Sequence, residues 1–131
     1  MTPSESENKS WILVVDDDVL VCNFLRSVLE RKGYSVDTAI DAAEAIRSLA
    51  SRRYQVAILD YHLPRGDGRF IFQHLRAMHP ALARRVLLIT AEGYDECLIA
   101  FLTSCNLPVL RKPFSHDALI CAVEKLQQAG S

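Results

Sequence analysis

Residues 57–68 read AILDYHLPRGDG, and this stretch decides the fold. An unbroken apolar run stops on a carboxylate, Asp60, and Pro64, Gly66 and Gly68 follow closely. A short continuous apolar run bounded by turn residues is the pattern of a strand buried on both faces of a sheet. A carboxylate at its last position stands where the chain leaves the core.

Four further runs of the same kind flank it: WILVV (11–15), YSVDTA (34–39), RVLLIT (85–90) and PVLRK (108–112). Between them the apolar spacing changes to a helical one. Val21, Phe24, Leu25, Val28 and Leu29 make a stripe that Gly33 stops. Asp41 reads as an N-cap with Glu44 completing a capping box, and Ala42, Ala45, Ile46 and Leu49 form the inner face behind it. Phe70, Ile71, His74, Leu75 and Met78 share one side of the next helix, which His79-Pro80 ends. Residues 94–104 read as helical, with Cys97, Leu98, Phe101 and Leu102 inward and Asn106 near the end. Ser115 is the expected N-cap of a last helix burying Ala118, Leu119, Ala122, Val123 and Leu126.

Five βα units in succession imply an α/β fold, a doubly wound parallel sheet with helices on both faces. The 131 residues fit one domain, and half of them are hydrophobic, enough for one core. The first ten residues, MTPSESENKS, are polar and aperiodic, so residues 1–10 are expected to be a disordered tail and 11–128 the domain. Fifteen basic against sixteen acidic residues give a net charge of −1, which argues against the basic stripe of a nucleic-acid binder. No apolar run reaches membrane-spanning length, and the start lacks a signal-peptide core, so a cytoplasmic location is expected. Cys22, Cys97, Cys105 and Cys121 form no C-x-x-C, and three of the four lie on helical apolar stripes. They read as reduced core thiols.

Sites in such sheets lie at the carboxyl ends of the strands. The first strand ends in Asp16, Asp17 and Asp18, the third in Asp60, the fourth in Thr90 and the fifth in Lys112-Pro113. Ala39-Ile40, after the second, offers nothing reactive. Converging carboxylates repel one another unless a cation joins them. A hard divalent ion, Mg²⁺ or Mn²⁺, suits a few carboxylates and water. Add a hydroxyl donor and an ammonium, and the set suits a phosphoryl group attacked by a carboxylate nucleophile. Asp60 is the expected site of an aspartyl phosphate. Asp18 reads equally well as a helix N-cap. The remaining polar groups have plainer readings. The His62 imidazole is expected at the surface, with its backbone carbonyl within reach of a metal. His74 is expected half-buried, and His79 and His116 at helix ends. Arg52, Arg53, Arg84 and Arg85 are expected in solvent and Trp11 at the core edge. Asp67 and Gly68 are expected to shape the loop after Asp60.

The motifs ILVVDDD (12–18), LDYHLPRGDG (59–68), LLITAEG (87–93) and VLRKPF (109–114), in that order, resemble the receiver domain of two-component response regulators. The resemblance runs from about Ser10 to Gln128. It implies a flavodoxin-like sheet of order 2-1-3-4-5 and makes Asp60 the phosphoacceptor. Asp17 is then the main metal-binding carboxylate, assisted by Asp16 and Asp60 and by the His62 backbone carbonyl. Thr90 is the switch hydroxyl, and Lys112 pairs with the phosphoryl group. The Lys112-Pro113 bond is expected to be cis, and small Ala91 to leave access to Asp60. The implied partners are a histidine kinase or histidine phosphotransfer protein and an unidentified downstream protein, without nucleic acid or membrane. The implied switching surface is segment 94–104, the fifth strand and the last helix. Val109 departs from the pattern, since many receivers carry Tyr or Phe there, and Arg65-Gly66 stands where Gly and a hydrophobe are common. LPVLRKPF (107–114) looks like receivers fused to hybrid histidine kinases.

Two other readings compete. VVDDDVL (14–20) is similar to the D-x-D motif of haloacid-dehalogenase-type phosphatases, with Asp16 as nucleophile and Asp18 as acid. That family needs a further acidic pair after the lysine, where only Asp117 and Glu124 follow, and it leaves Asp60 without a role. The other is a pseudo-receiver, an interaction module with the fold and no phosphorylation.

Overall fold

The computed structural model describes residues 10–90, 100, 104 and 107–129. Five parallel strands form one sheet: β1 (Trp11–Val15), β2 (Ser35–Ala39), β3 (Val56–Asp60), β4 (Val86–Thr90) and β5 (Val109–Arg111). Their order is β2-β1-β3-β4-β5, as expected. The described helices are α1 (Val19–Arg31), α2 (Ala42–Ser51), α3 (Asp67–Met78), the one-turn α4 (Pro80–Ala83) and α5 (His116–Ala129). The helix expected at 94–104, with Cys97, Leu98, Phe101 and Leu102, lies largely outside the described residues. So do Ala91, Cys105, Asn106 and nearly all of the expected tail.

Period-two alternation sorts the strand side chains onto two faces. Leu13, Val15, Ala57, Leu59, Val86 and Leu88 meet Ala45 and Leu49 of α2 and Ile71, Phe72 and Leu75 of α3. Ile12, Val14, Val56, Ile58, Leu87 and Ile89 meet Leu25 and Leu29 of α1 and Leu119 and Val123 of α5. All of these are buried, which is why the central strands read as unbroken apolar runs. Among the described residues, no helix is long and apolar enough to cross a membrane.

The helix ends follow local chemistry. Asp18 caps α1, its carboxylate accepting from the Leu20 amide. Gly33, at φ 95°, takes the left-handed position after it. Asp41 accepts from the Glu44 amide, but Glu44 reaches back to the Ile40 amide rather than to that of Asp41. Ser115 Oγ accepts from the Ala118 amide and starts α5. His79-Pro80 does end α3, and the chain then turns at once into α4, which the spacing does not announce.

Several side chains depart from their expected places. Phe24 leaves the stripe and is exposed, stacking on Phe114 and His116. Phe70 and Met78 are exposed, and Phe72 is the buried aromatic of α3. Cys22 is in the core, but Cys121 is exposed. Arg52 is exposed, as expected, but it pairs with Asp37 at 2.8 Å and lies 3.5 Å over the half-buried Trp11 ring.

Candidate functional site

Parallel register brings the strand ends to one rim. Val15 pairs with Leu59, so Asp16 stands level with Asp60. Asp60 in turn pairs with Ile89 and Thr90 with Arg111. The ladder continues past the strand ends: Asp16 N donates to Ala39 O at 3.0 Å, Tyr61 N to Ile89 O at 2.9 Å and Lys112 N to Thr90 O at 2.8 Å. Four of the expected site residues are therefore placed by backbone hydrogen bonds of the sheet itself. The Lys112-Pro113 peptide is cis.

Asp16, Asp60 and Thr90 are buried, and Asp16 and Asp60 are the only ionisable carboxylates buried among the described residues. Asp17 is exposed beside them, and one carboxylate oxygen from each of Asp16, Asp17 and Asp60 lies within 4.8 Å of the others. Lys112 Nζ is 3.0 Å from Asp16 Oδ2 and 3.7 Å from Asp60 Oδ2. The ammonium thus lies between two of the three carboxylates. Burial pushes the Asp16 pKa up. The Asp18 amide and Lys112 oppose that shift, and the Asp60 charge adds to it. Burial alone would lower the Lys112 pKa, but the hydrogen bond to Asp16 and the charges of Asp60 and Asp16 reverse the sign and raise it. The cluster is short of positive charge, and its donors are all oxygen. These residues fit a hard divalent cation.

The loop after β3 is folded onto Asp60. His62 N donates to Asp60 Oδ1 at 2.9 Å. Gly68, at the start of α3, packs so closely that a Cβ would stand 2.8 Å from the Asp60 carbonyl oxygen and 3.0 Å from that of Tyr61. Asp67 Oδ2 accepts from the Ala42 amide at 3.2 Å and ties this loop to α2. Both residues shape the loop, as the sequence suggests. His62 is exposed, as expected, and its imidazole Nε2 is 2.8 Å from Thr90 Oγ1. Cys22 Sγ donates to the Asp16 carbonyl at 3.2 Å. Burial, with the Asp16 charge next, raises its pKa, so it stays a thiol. Sequence reasoning singled out neither contact. A histidine two residues after a site carboxylate was the available signal for the first, and nothing in the spacing marks the second.

Beside Lys112, Leu20, Val21, Phe24, Pro113 and Phe114 line a shallow groove that is mostly apolar. Leu20 is 78% exposed. Phe24 is left out of the core because it faces this groove and its aromatic neighbours.

A family model described as "Response regulator receiver domain" matches residues 12–124. The response regulator MprA of Mycobacterium avium is 36% identical over 115 residues, covering 88% of this chain and 50% of that protein. Curated relatives are longer, and the chain spans from about a quarter to half of their length. The receiver domain of a Francisella response regulator superposes with a TM-score of 0.79 at 29% identity, covering 94% of this chain and 100% of that one. A CheY-like receiver protein from Methanospirillum hungatei shares the fold with a TM-score of 0.85 at 20% identity, covering 94% and 97%.

Proposed function

Because this chain belongs to the response regulator receiver domain family of two-component systems, we propose that Asp60 is its phosphoacceptor, within a receiver unit spanning residues 11–128. One observation carries the reading: a buried carboxylate at a strand end, with a lysine ammonium 3.7 Å away and two more carboxylates clustered against it. The donor is the phosphohistidine of a histidine kinase or histidine phosphotransfer protein, and the chain acts in the cytoplasm. The apolar groove beside Lys112 supports docking of a donor protein at this rim.

A carboxylate oxygen of Asp60 attacks phosphorus. A P–O bond forms, the P–N bond breaks, and the donor imidazole leaves with the electron pair. Lys112 neutralises the charge that collects on the phosphoryl oxygens. The Thr90 hydroxyl donates a hydrogen bond to one of them. Asp16, Asp17, Asp60 and the His62 carbonyl would hold Mg²⁺. When bound, Mg²⁺ supplies positive charge to the phosphoryl oxygens and screens the carboxylates from one another. Water later attacks the aspartyl phosphate, releasing inorganic phosphate and restoring the carboxylate. Both half-reactions occur on this chain's own side chain, so it is no turnover enzyme.

Phosphorylation adds charge at the rim and biases a surface read by a downstream protein. Half-buried Val109 stands where many receivers have an aromatic ring, so no ring rotation at that position can report the change.

Intact mass after incubation with acetyl phosphate or phosphoramidate and Mg²⁺ tests the reading. The expected result is a gain of one phosphoryl group, lost with EDTA and absent in Asp60→Asn. No gain from small donors or from a phosphorylated kinase would favour the pseudo-receiver. Phosphatase turnover that Asp16→Ala abolishes and Asp60→Ala spares would favour the dehalogenase-type enzyme.

A further inference from the structure

Thr90 ends β4 with its side chain fully buried, whereas His62 is an exposed residue on the loop after β3. Exposed imidazoles ordinarily sample several rotamers, and fixing one costs side-chain entropy. This one is held from three directions. The His62 amide is tied to Asp60 Oδ1 at 2.9 Å. The Tyr61 ring packs edge-on against the imidazole, with centroids 5.2 Å apart. Nε2 itself meets Thr90 Oγ1 at 2.8 Å.

A hydroxyl carries one proton to donate. In the unmodified protein an imidazole nitrogen stands within hydrogen-bond reach of that hydroxyl. A phosphoryl group on Asp60 brings three strong acceptor oxygens into the same pocket. The imidazole and the phosphoryl oxygens then compete for the Thr90 proton.

We propose that the His62 side chain is a latch on Thr90: it accepts the hydroxyl proton in the unmodified protein and gives it up when a phosphoryl group occupies Asp60. The imidazole acts through Thr90 and is a positioning group, separate from what the backbone of the same residue does. The inference rests on Asp60 being the acceptor. It implies that the resting state is stabilised against the phosphorylated one by about one net hydrogen bond.

The test is the affinity of the full chain for beryllium fluoride with Mg²⁺, a stable mimic of the phosphoryl group, measured by calorimetry. His62→Ala and His62→Phe should each bind about two- to tenfold more tightly than wild type. His62→Gln, which can still reach a hydroxyl, should stay near wild type. In a Thr90→Val background the gain from His62→Ala should vanish, which a merely structural role for His62 would not produce. Thermal unfolding of each variant establishes that it folds. In parallel, ¹⁵N spectra of the unmodified protein at pH 8 should show His62 Nε2 as an acceptor with the proton on Nδ1. Unchanged affinity in His62→Ala, an equal gain in the Thr90→Val background, or a proton on Nε2 each overturns the latch. A wild type that binds no beryllium fluoride overturns the acceptor assignment instead, a result distinct from a wild type that binds and a His62→Ala variant that binds no better.

Discussion

Lys112 Nζ rests 3.0 Å from Asp16 Oδ2, joining two residues 96 apart in the chain. The ammonium partly fills the role that a divalent cation would take. Lys112→Ala should therefore tighten Mg²⁺ binding several-fold, because one competitor for Asp16 is gone. The same variant should slow phosphorylation by acetyl phosphate about a hundredfold, since charge developing on the phosphoryl oxygens loses its counter-ion. Magnesium titration and intact-mass kinetics measure the two effects. Parallel loss of both would mean that Lys112 is needed only to hold the pocket together.

Gly68→Ala places a methyl group 2.8 Å from one backbone carbonyl and 3.0 Å from the next. Backbone cannot swing aside as a long side chain can. The loop carrying Asp60 and Tyr61 must shift, at about 1–3 kcal/mol of stability. Urea denaturation should show that loss, and the phosphorylation rate should fall with it because Asp60 moves.

Arg65 is the one described non-glycine residue at positive φ, 61°. A side chain there costs about 1–2 kcal/mol, part of which glycine's extra unfolded-state freedom offsets. Arg65→Gly is expected to stabilise the protein by about 0.5–1 kcal/mol. A lower denaturation midpoint would show that the guanidinium makes a compensating contact.

Tyr54 is buried, and its hydroxyl donates to Asp37 Oδ2 at 2.7 Å. Burial first, and then the Asp37 carboxylate, push its pKa from 10.0 up to about 12. The folded state holds this proton more tightly than the unfolded chain. Its contribution is thus complete below about pH 10 and is lost as pH rises toward about 12. The difference in stability between wild type and Tyr54→Phe should shrink across that window. Urea midpoints at intervals from pH 9 to pH 12, on the order of half a unit apart, check it. A constant difference would place the ionisation elsewhere.

The sequence disclosed the strands because β1, β3 and β4 are buried on both sides and so are apolar without interruption. It disclosed the rim because Asp16, Asp60, Thr90 and Lys112 each stand at a strand end or one residue past it, where backbone register alone fixes their neighbours. Helix faces were less legible. A stripe of apolar residues predicts which arc of a helix can be buried, not where that arc meets the edge of the sheet. Phe24, Phe70 and Met78 lie beyond it and are exposed. The His62–Thr90 contact was out of reach for another reason: it depends on one rotamer on a loop, which no periodicity encodes. Arg52 is exposed, as expected, but its partners Asp37 and Trp11 lie on strands, where no helical spacing announces them.

The all-parallel sheet also governs how a growing chain acquires its chemistry. No two neighbouring strands are joined by a hairpin. Trp11 waits for Ser35, Ala57 for Val86, and Leu88 for Val109. A polypeptide emerging from the ribosome presents the Asp60 carboxylate long before the ammonium at position 112 is made. Chains broken off anywhere in between carry Asp60 without the ammonium that stands 3.7 Å from it in the finished fold.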